Sequence, residues 1–175
     1  MSRFISFNRR KDQDAVAGVE IEVVLVKIEH PDIDEPIRVS SDSTKRLSIE
    51  PLEYCTWSSW AQDGSIDEPY KFVMMGVTVP DESEDVPSQG NLVLQMLDSR
   101  IGEVLTSTIE QATVHMAIVL ASSPDLVEAE WLNLKLTSAE SDDGVVQLNF
   151  DMDDILEEPW PSDRTTKERF PGQHT

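Results

Sequence analysis

Hydrophobic positions along this chain recur mostly at every second residue. From Gly18 to Glu29, Val19, Ile21 and Val23 alternate with Glu20 and Glu22, and the phase then flips to Val24, Val26 and Ile28. A period of two places successive side chains on opposite faces of a strand. A phase flip implies a β-bulge, or a strand that passes from a half-exposed to a buried stretch. His30-Pro31 with Asp32 and Asp34 marks the next turn. Ile37 to Ser40 and Leu47 to Leu52 read as strands around a turn at Ser41-Asp42-Ser43. Tyr70 to Val79 is rich in β-branched and aromatic residues and closes at Pro80, and Asp81 to Gly90 reads as an acidic loop. Leu92, Leu94 and Met96 alternate, as do Val114, Met116, Ile118 and Leu120, then Leu132, Leu134 and Leu136, and finally Val146 to Met152. Asp142-Asp143-Gly144 between the last two is a hairpin signal.

One interruption follows a period of 3.6. Ser99 can cap a helix near residues 100 to 110, with Glu103 in its first turn and Ile101, Val104, Leu105, Thr108 and Ile109 as a core stripe. About eight short strands and one helix predict a mainly β domain, a β-sandwich or small barrel.

Both ends depart from this pattern. Residues 1–17 carry Phe4, Ile5 and Phe7 and then a basic knot of Arg9, Arg10 and Lys11. Residues 158–175 hold Glu158-Pro159-Trp160-Pro161, Arg164 and Phe170-Pro171-Gly172. Three prolines in so short a stretch suit neither a helix nor a central strand. The reading is an N-terminal arm (1–17), a β-rich domain (18–157) and an extended C-terminal arm (158–175), the arms docking their aromatic rings on neighbours.

The charge is large and uneven. The chain of 175 residues has a formal net charge of −20. Residues 47 to 163 contain 24 Asp and Glu against Lys71, Arg100 and Lys135, a local net of −21. Without a basic stripe to release phosphate counterions, specific or nonspecific nucleic-acid binding is not expected. The single cysteine, Cys55, leaves no intrachain disulfide and no multi-cysteine metal site, and reads as a small buried apolar residue. No apolar run approaches the roughly 20 residues of a membrane helix, and no apolar segment follows the N-terminal arginines as in a secretory signal. The expectation is a soluble chain made in the cytoplasm, with no membrane partner.

A search for chemistry returns nothing built. The seven glycines never cluster as a phosphate loop needs. His30, His115 and His174 lack partners at metal-ligand spacing, and no Gly-x-Ser-x-Gly elbow occurs. Asp151, Asp153 and Asp154 lack the glycine of a calcium loop. No catalytic residue, cofactor or metal is therefore expected. Tyr54, Trp57 and Trp60 form an aromatic knot in what reads as a loop. It suits a core lid or a protein–protein anchor better than a sugar-stacking platform, since no amide or basic residues gather beside it.

The order of these features resembles a family of phage minor tail proteins, similar in position to the lambda-type minor tail protein L. The residues that carry the resemblance are the opening strand Val19 to Ile28, the Tyr54 to Trp60 loop, the segment Asn91 to Glu110, and Glu158-Pro159-Trp160-Pro161 with Phe170-Pro171-Gly172. It implies a virion structural protein at the distal tail tip or baseplate hub of a long, non-contractile-tailed phage. Its partners would be the distal tail ring, the hub or central fibre protein and the tape measure, with a three-fold homo-oligomer favoured. Phe4, Phe7, Trp57, Trp60, Trp160 and Phe170 would bind those partners. The iron–sulfur domain of lambda-type proteins is not carried over, because one cysteine cannot hold it. An acidic DNA mimic and a carbohydrate-binding module are the alternative readings.

Overall fold

The computed structural model describes residues 5–16, 18–62, 68–79, 89–95, 111–142 and 144–151. The helix expected near residues 100 to 110, most of the acidic loop, the C-terminal arm, and Phe4, Trp160 and Phe170 lie outside the described residues. Among the described residues the fold is mainly β with one short helix, α1 (Phe7–Gln13). The strands are β1 (Glu22–Glu29), β2 (Ile37–Ser40), β3 (Lys45–Ser48), β4 (Glu53–Thr56), β5 (Tyr70–Phe72), β6 (Met74–Thr78), β7 (Gln89–Gln95), β8 (Thr113–Leu120), β9 (Ser123–Asp142) and β10 (Val145–Asp151).

These ten strands hydrogen-bond in one open mixed sheet, in the order β3-β4-β5-β2-β1-β8-β9-β10-β7-β6. Two strands hand the chain from one half of the sheet to the other. Strand β9 pairs with β8 as far as Lys135 and with β10 from Lys135 onward. Strands β5 and β6 are separated by Val73 alone, whose N–H donates to Ser40 O at 3.0 Å, yet β5 lies beside β2 and β6 beside β7. A sheet joined to itself at two such corners folds over on its own inner face, as orthogonally packed sandwiches do.

The main core lies in that fold. Val26, Ile28, Val39, Val114 and Met116 come from one half, and Leu92, Leu94, Leu148 and Phe150 from the other. A second, smaller core of Val23, Leu25, Ala117 and Val119 lies on the opposite face of β1 and β8, under Trp60 and Tyr70. This explains the phase flip of the first strand. Strand β1 pairs with β8 without a register shift, so there is no bulge there; both faces are buried, each against a different cluster. Val19 and Ile21 precede the strand and are exposed.

Three expectations are corrected. The strand expected over Leu47 to Leu52 breaks, because the chain turns over residues 49–52 and returns as β4. Strand β9 runs far beyond Leu132 to Leu136. The N-terminal segment is not extended over Phe7–Gln13 but helical, capped by Ser6 Oγ, which accepts from Arg9 N at 3.1 Å. That cap satisfies one of the donors left free in a first turn.

Candidate functional site

The aromatic knot splits between strand and loop. Tyr54 belongs to β4 and sets its ring edge-on to Phe72. The following residues cross the second core as a lid fastened to distant strands. Ser58 Oγ donates to Pro124 O at 2.7 Å, and Ser59 donates its N–H and hydroxyl to Asp125 Oδ1 at 2.7 and 2.9 Å. Gln62 Nε2 donates to Ser58 O and Glu68 O, and Lys27 Nζ donates to Ala61 O at 3.0 Å. Tyr70 OH donates to Trp60 O at 2.6 Å, while Trp60 Nε1 donates to Glu130 Oε2 at 3.3 Å. Ala61 takes φ of 52°, a left-handed turn that lets the loop double back.

Trp60 is therefore 8% exposed, its ring lying 6.0 Å from that of Tyr70 over Val23 and Leu25. This corrects its expected role: a ring used to cover the chain's own core cannot anchor a partner. Trp57 is 37% exposed and keeps a free face. With one indole buried and the other half out, the two do not make an exposed stacking platform for sugar.

Beside the lid runs a polar row. Lys27 Nζ is 2.7 Å from Glu29 Oε1, and Glu29 Oε2 is 3.8 Å from His115 Nε2. His115 Nδ1 accepts from Asn133 N at 3.2 Å, where β9 bulges with Asn133 at φ of 59°. Burial holds the His115 pKa below its ordinary value, against the opposing pull of Glu29. The hydrogen bond from Lys27 holds Glu29 below the usual carboxylate range. Nδ1 is committed to the bulge and Nε2 lies near Glu29, so His115 is tied into the fold. Burial also pushes the Cys55 thiol and the Tyr70 hydroxyl up, leaving both neutral and inert.

A cleft of about 180 Å³ lies between Glu29, His30, Ile33, Asp34 and Pro36. It is smaller than the ~300 Å³ where ligand pockets begin. Among the described residues, no group of three or more His, Cys, Asp or Glu is placed to hold a metal ion.

Two of the surfaces left uncovered by described residues bear on contact with a neighbour. The first is α1, which buries none of its residues. Polar contacts hold it: Ser6 N donates to buried Glu128 Oε2 at 3.0 Å, Asp12 Oδ1 accepts from Val19 N and Glu20 N, and Arg9 pairs with Glu22 at 2.7 Å. Its outer stripe, Phe7, Arg10 and Lys11, is exposed, Phe7 at 79%.

The second surface is the outer face of β9, β10, β7 and β6, where cross-strand registers set side chains in rows. Asp142, Val145, Gln95 and Met74 form one row; Glu140, Gln147, Val93 and Gly76 the next; Ser138, Asn149, Asn91 and Thr78 the third. The third row is wired by side chains, Asn91 Nδ2 to Asn149 Oδ1 at 2.6 Å and Asn149 Nδ2 to Ser138 Oγ at 2.8 Å. Sequence reasoning marked Phe7 and the basic knot as a docking arm but missed the sheet face. The polar phase of Val146 to Met152 was the available signal, but alone it reads only as a solvated face.

Residues 8–165 match a domain of unknown function (DUF1833), and the chain belongs to that family. No curated protein matches the chain.

Proposed function

We propose that this chain is a structural, non-catalytic component of the distal tail tip or baseplate hub of a long, non-contractile-tailed phage. It would link the ring at the end of the tail tube to the central hub or fibre protein, as a homo-oligomer for which three-fold symmetry is favoured. One observation supports this best: among the described residues the side chains of Ser40, Thr56, Ser58, Ser59 and His115 are tied into the fold, and other described surfaces suit contact. Ser40 and Thr56 bond each other at 2.7 Å, Ser58 and Ser59 tie the lid, and His115 holds a bulge. Among the described residues, what faces out includes a short basic helix bearing Phe7, the half-exposed Trp57 and the outer face of β9, β10, β7 and β6. Such surfaces serve assembly, where aromatic and arginine anchors dominate binding energy.

The test is location. An antibody to this chain, imaged on purified virions by negative stain, should label the tail tip, and mass spectrometry should find the chain in the particle. Absence from purified virions, or label on the capsid, would sink the proposal. A DNA mimic would instead co-purify with a host nucleic-acid enzyme.

A further inference from the structure

We infer that copies of this chain join head to tail, the α1 stripe of one docking on the β9-β10-β7-β6 face of the next. This deepens the proposed function and rests on it for its biological setting; the contact itself is argued from the two surfaces.

The stripe has the form of a knob with charges beside it. Phe7, Arg10 and Lys11 stand at i, i+3 and i+4, so they share one side of the helix. Phe7 is 79% exposed and the helix buries nothing of its own. A large apolar side chain left out on a helix held by polar contacts is fitted for contact elsewhere.

The sheet face has the matching shape and charge. Gly76 is exposed, and a Cβ built there would meet no atom within 4 Å. It leaves a notch in the outer face, with Met74 (59% exposed) on one side and half-buried Val93 across the strand pair. An aromatic ring entering that notch covers both. Three strand spacings away, about 14 Å, the same rows end in Glu140 and Asp142, both exposed. Arg10 and Lys11, a turn from Phe7 and on long stems, reach toward those carboxylates. These three rows carry no Lys or Arg; the one base nearby, Lys135, lies beyond them opposite Asp151.

The occupant is a second copy because the charges are segregated within one chain. The helix stripe is basic, while residues 47 to 163, which include the whole face, carry a local net of −21. Neither surface is its own complement, so each meets the other surface on a neighbour rather than a copy of itself. Helix-to-face contacts are heterologous, and they close into rings when the rotation allows.

The experiment uses the full chain and sedimentation equilibrium, with circular dichroism as the control for folding. The wild type should self-associate in a concentration-dependent way. Arg10→Glu with Lys11→Glu should weaken association at least about ten-fold, since like charges at a contact cost several kcal/mol. Glu140→Lys with Asp142→Lys should do the same. Mixing those two folded double variants should restore association, because each then meets an opposite charge in its neighbour. A wild type that stays monomeric up to millimolar concentration overturns the inference, as does a double variant that associates like the wild type, or a mixture that does not recover. Virion labelling decides the proposed function separately, so the two can fail independently.

Discussion

Gly90→Ala should be among the most damaging small substitutions in this fold. Gly90 sits directly opposite Phe150 in the β7–β10 pair, and the Phe150 ring, 1% exposed, lies across it. A Cβ at Gly90 would come within 2.0 Å of Phe150 Cε2, 2.6 Å of Cζ and 2.8 Å of Cδ2. Restoring an ordinary carbon contact of 3.5–4.0 Å needs the ring edge to retreat by about 1.5–2 Å. The ring is packed in the main core, so neighbours must move with it. Overpacking of this kind costs about 1–3 kcal/mol, and full expulsion of the ring approaches the ~3–5 kcal/mol of a Phe→Ala truncation. The reduced freedom of the unfolded chain returns only about 0.4–1 kcal/mol. Steric cost wins, with a net loss near ~2–3 kcal/mol. At this chain length that lowers Tm by roughly 4–12 °C. Gly76→Ala is the control, since its Cβ meets nothing within 4 Å and stability should be unchanged or slightly higher. Adding Phe150→Leu to Gly90→Ala should relieve the clash, so the double variant loses at least ~1 kcal/mol less than the sum of the singles. Urea denaturation of all four variants measures this. A Gly90→Ala protein as stable as wild type, or strict additivity in the double, would refute the reasoning.

Other outcomes follow from the contacts that tie the lid, the histidine and the helix. Tyr70→Phe removes the donor to Trp60 O and should cost about 1–3 kcal/mol in a denaturation midpoint; an unchanged midpoint would show the bond to be idle. The folded pKa of His115 lies below its ordinary 6.5 and that of Glu29 below 4.5, so both contribute stability above those values and lose it as pH falls. Cys55 and Tyr70 are shifted up from 9.0 and 10.0, so their contribution is present below those values and is lost as pH rises. His115→Asn keeps an acceptor for Asn133 N–H but cannot titrate; its Tm should separate from that of wild type only below about pH 6.5, and parallel curves would contradict the assignment. Glu128→Ala should speed amide exchange at Arg10 and Asp14 of α1, whose N–H groups donate to Ser6 O and Arg10 O, without altering β8. Equal exchange in both proteins would mean that Glu128 does not hold the helix.

The elements legible in the sequence are those where one face is buried and the ladder is regular. Strands β7, β8 and β10 alternate cleanly, and Asp142 to Gly144 turns the chain, with Gly144 at φ of 83°. Helix α1 was illegible for a physical reason: a helix that buries nothing has no apolar stripe to detect, and its place is set by Glu128, 122 residues from Ser6. The first half of β9 was hidden by Pro124, Asp125 and three register shifts against β8, which break the period of two and turn Glu128 inward. The corner at Val73 leaves no trace, because Phe72 and Val73 themselves are good strand formers. For Trp60 the sequence left a core lid and a partner anchor both open; the bonds from Ser58 and Ser59 to Pro124 and Asp125, 66 residues away, decide for the lid.

The net charge of −20 bears on whether such chains can join at all, and salt exposes the answer. Several bases are already paired within the chain, Arg9 with Glu22, Lys27 with Glu29 and Arg38 with Glu68. Positive charge displayed by the described N-terminal segment therefore concentrates at Arg10 and Lys11. Two approaching copies feel a long-range repulsion between whole molecules and a short-range attraction between helix and face. These have different reach. At about 0.01 M salt the screening length is ~30 Å, so whole-molecule repulsion acts across the interface. At about 0.15 M it shrinks to ~8 Å, which suppresses repulsion between distant carboxylates more than attraction between groups in contact. At about 1 M it is ~3 Å, and only the Phe7 contact keeps its strength. Association should therefore pass through a maximum at intermediate salt. Arg10→Glu with Lys11→Glu removes the attraction and leaves the repulsion, so its weak association should only rise with salt. Sedimentation equilibrium across that range tests both curves. A wild type that binds tightest at the lowest salt would show that attraction, not net repulsion, controls the long-range field, and the balance argued here would be wrong.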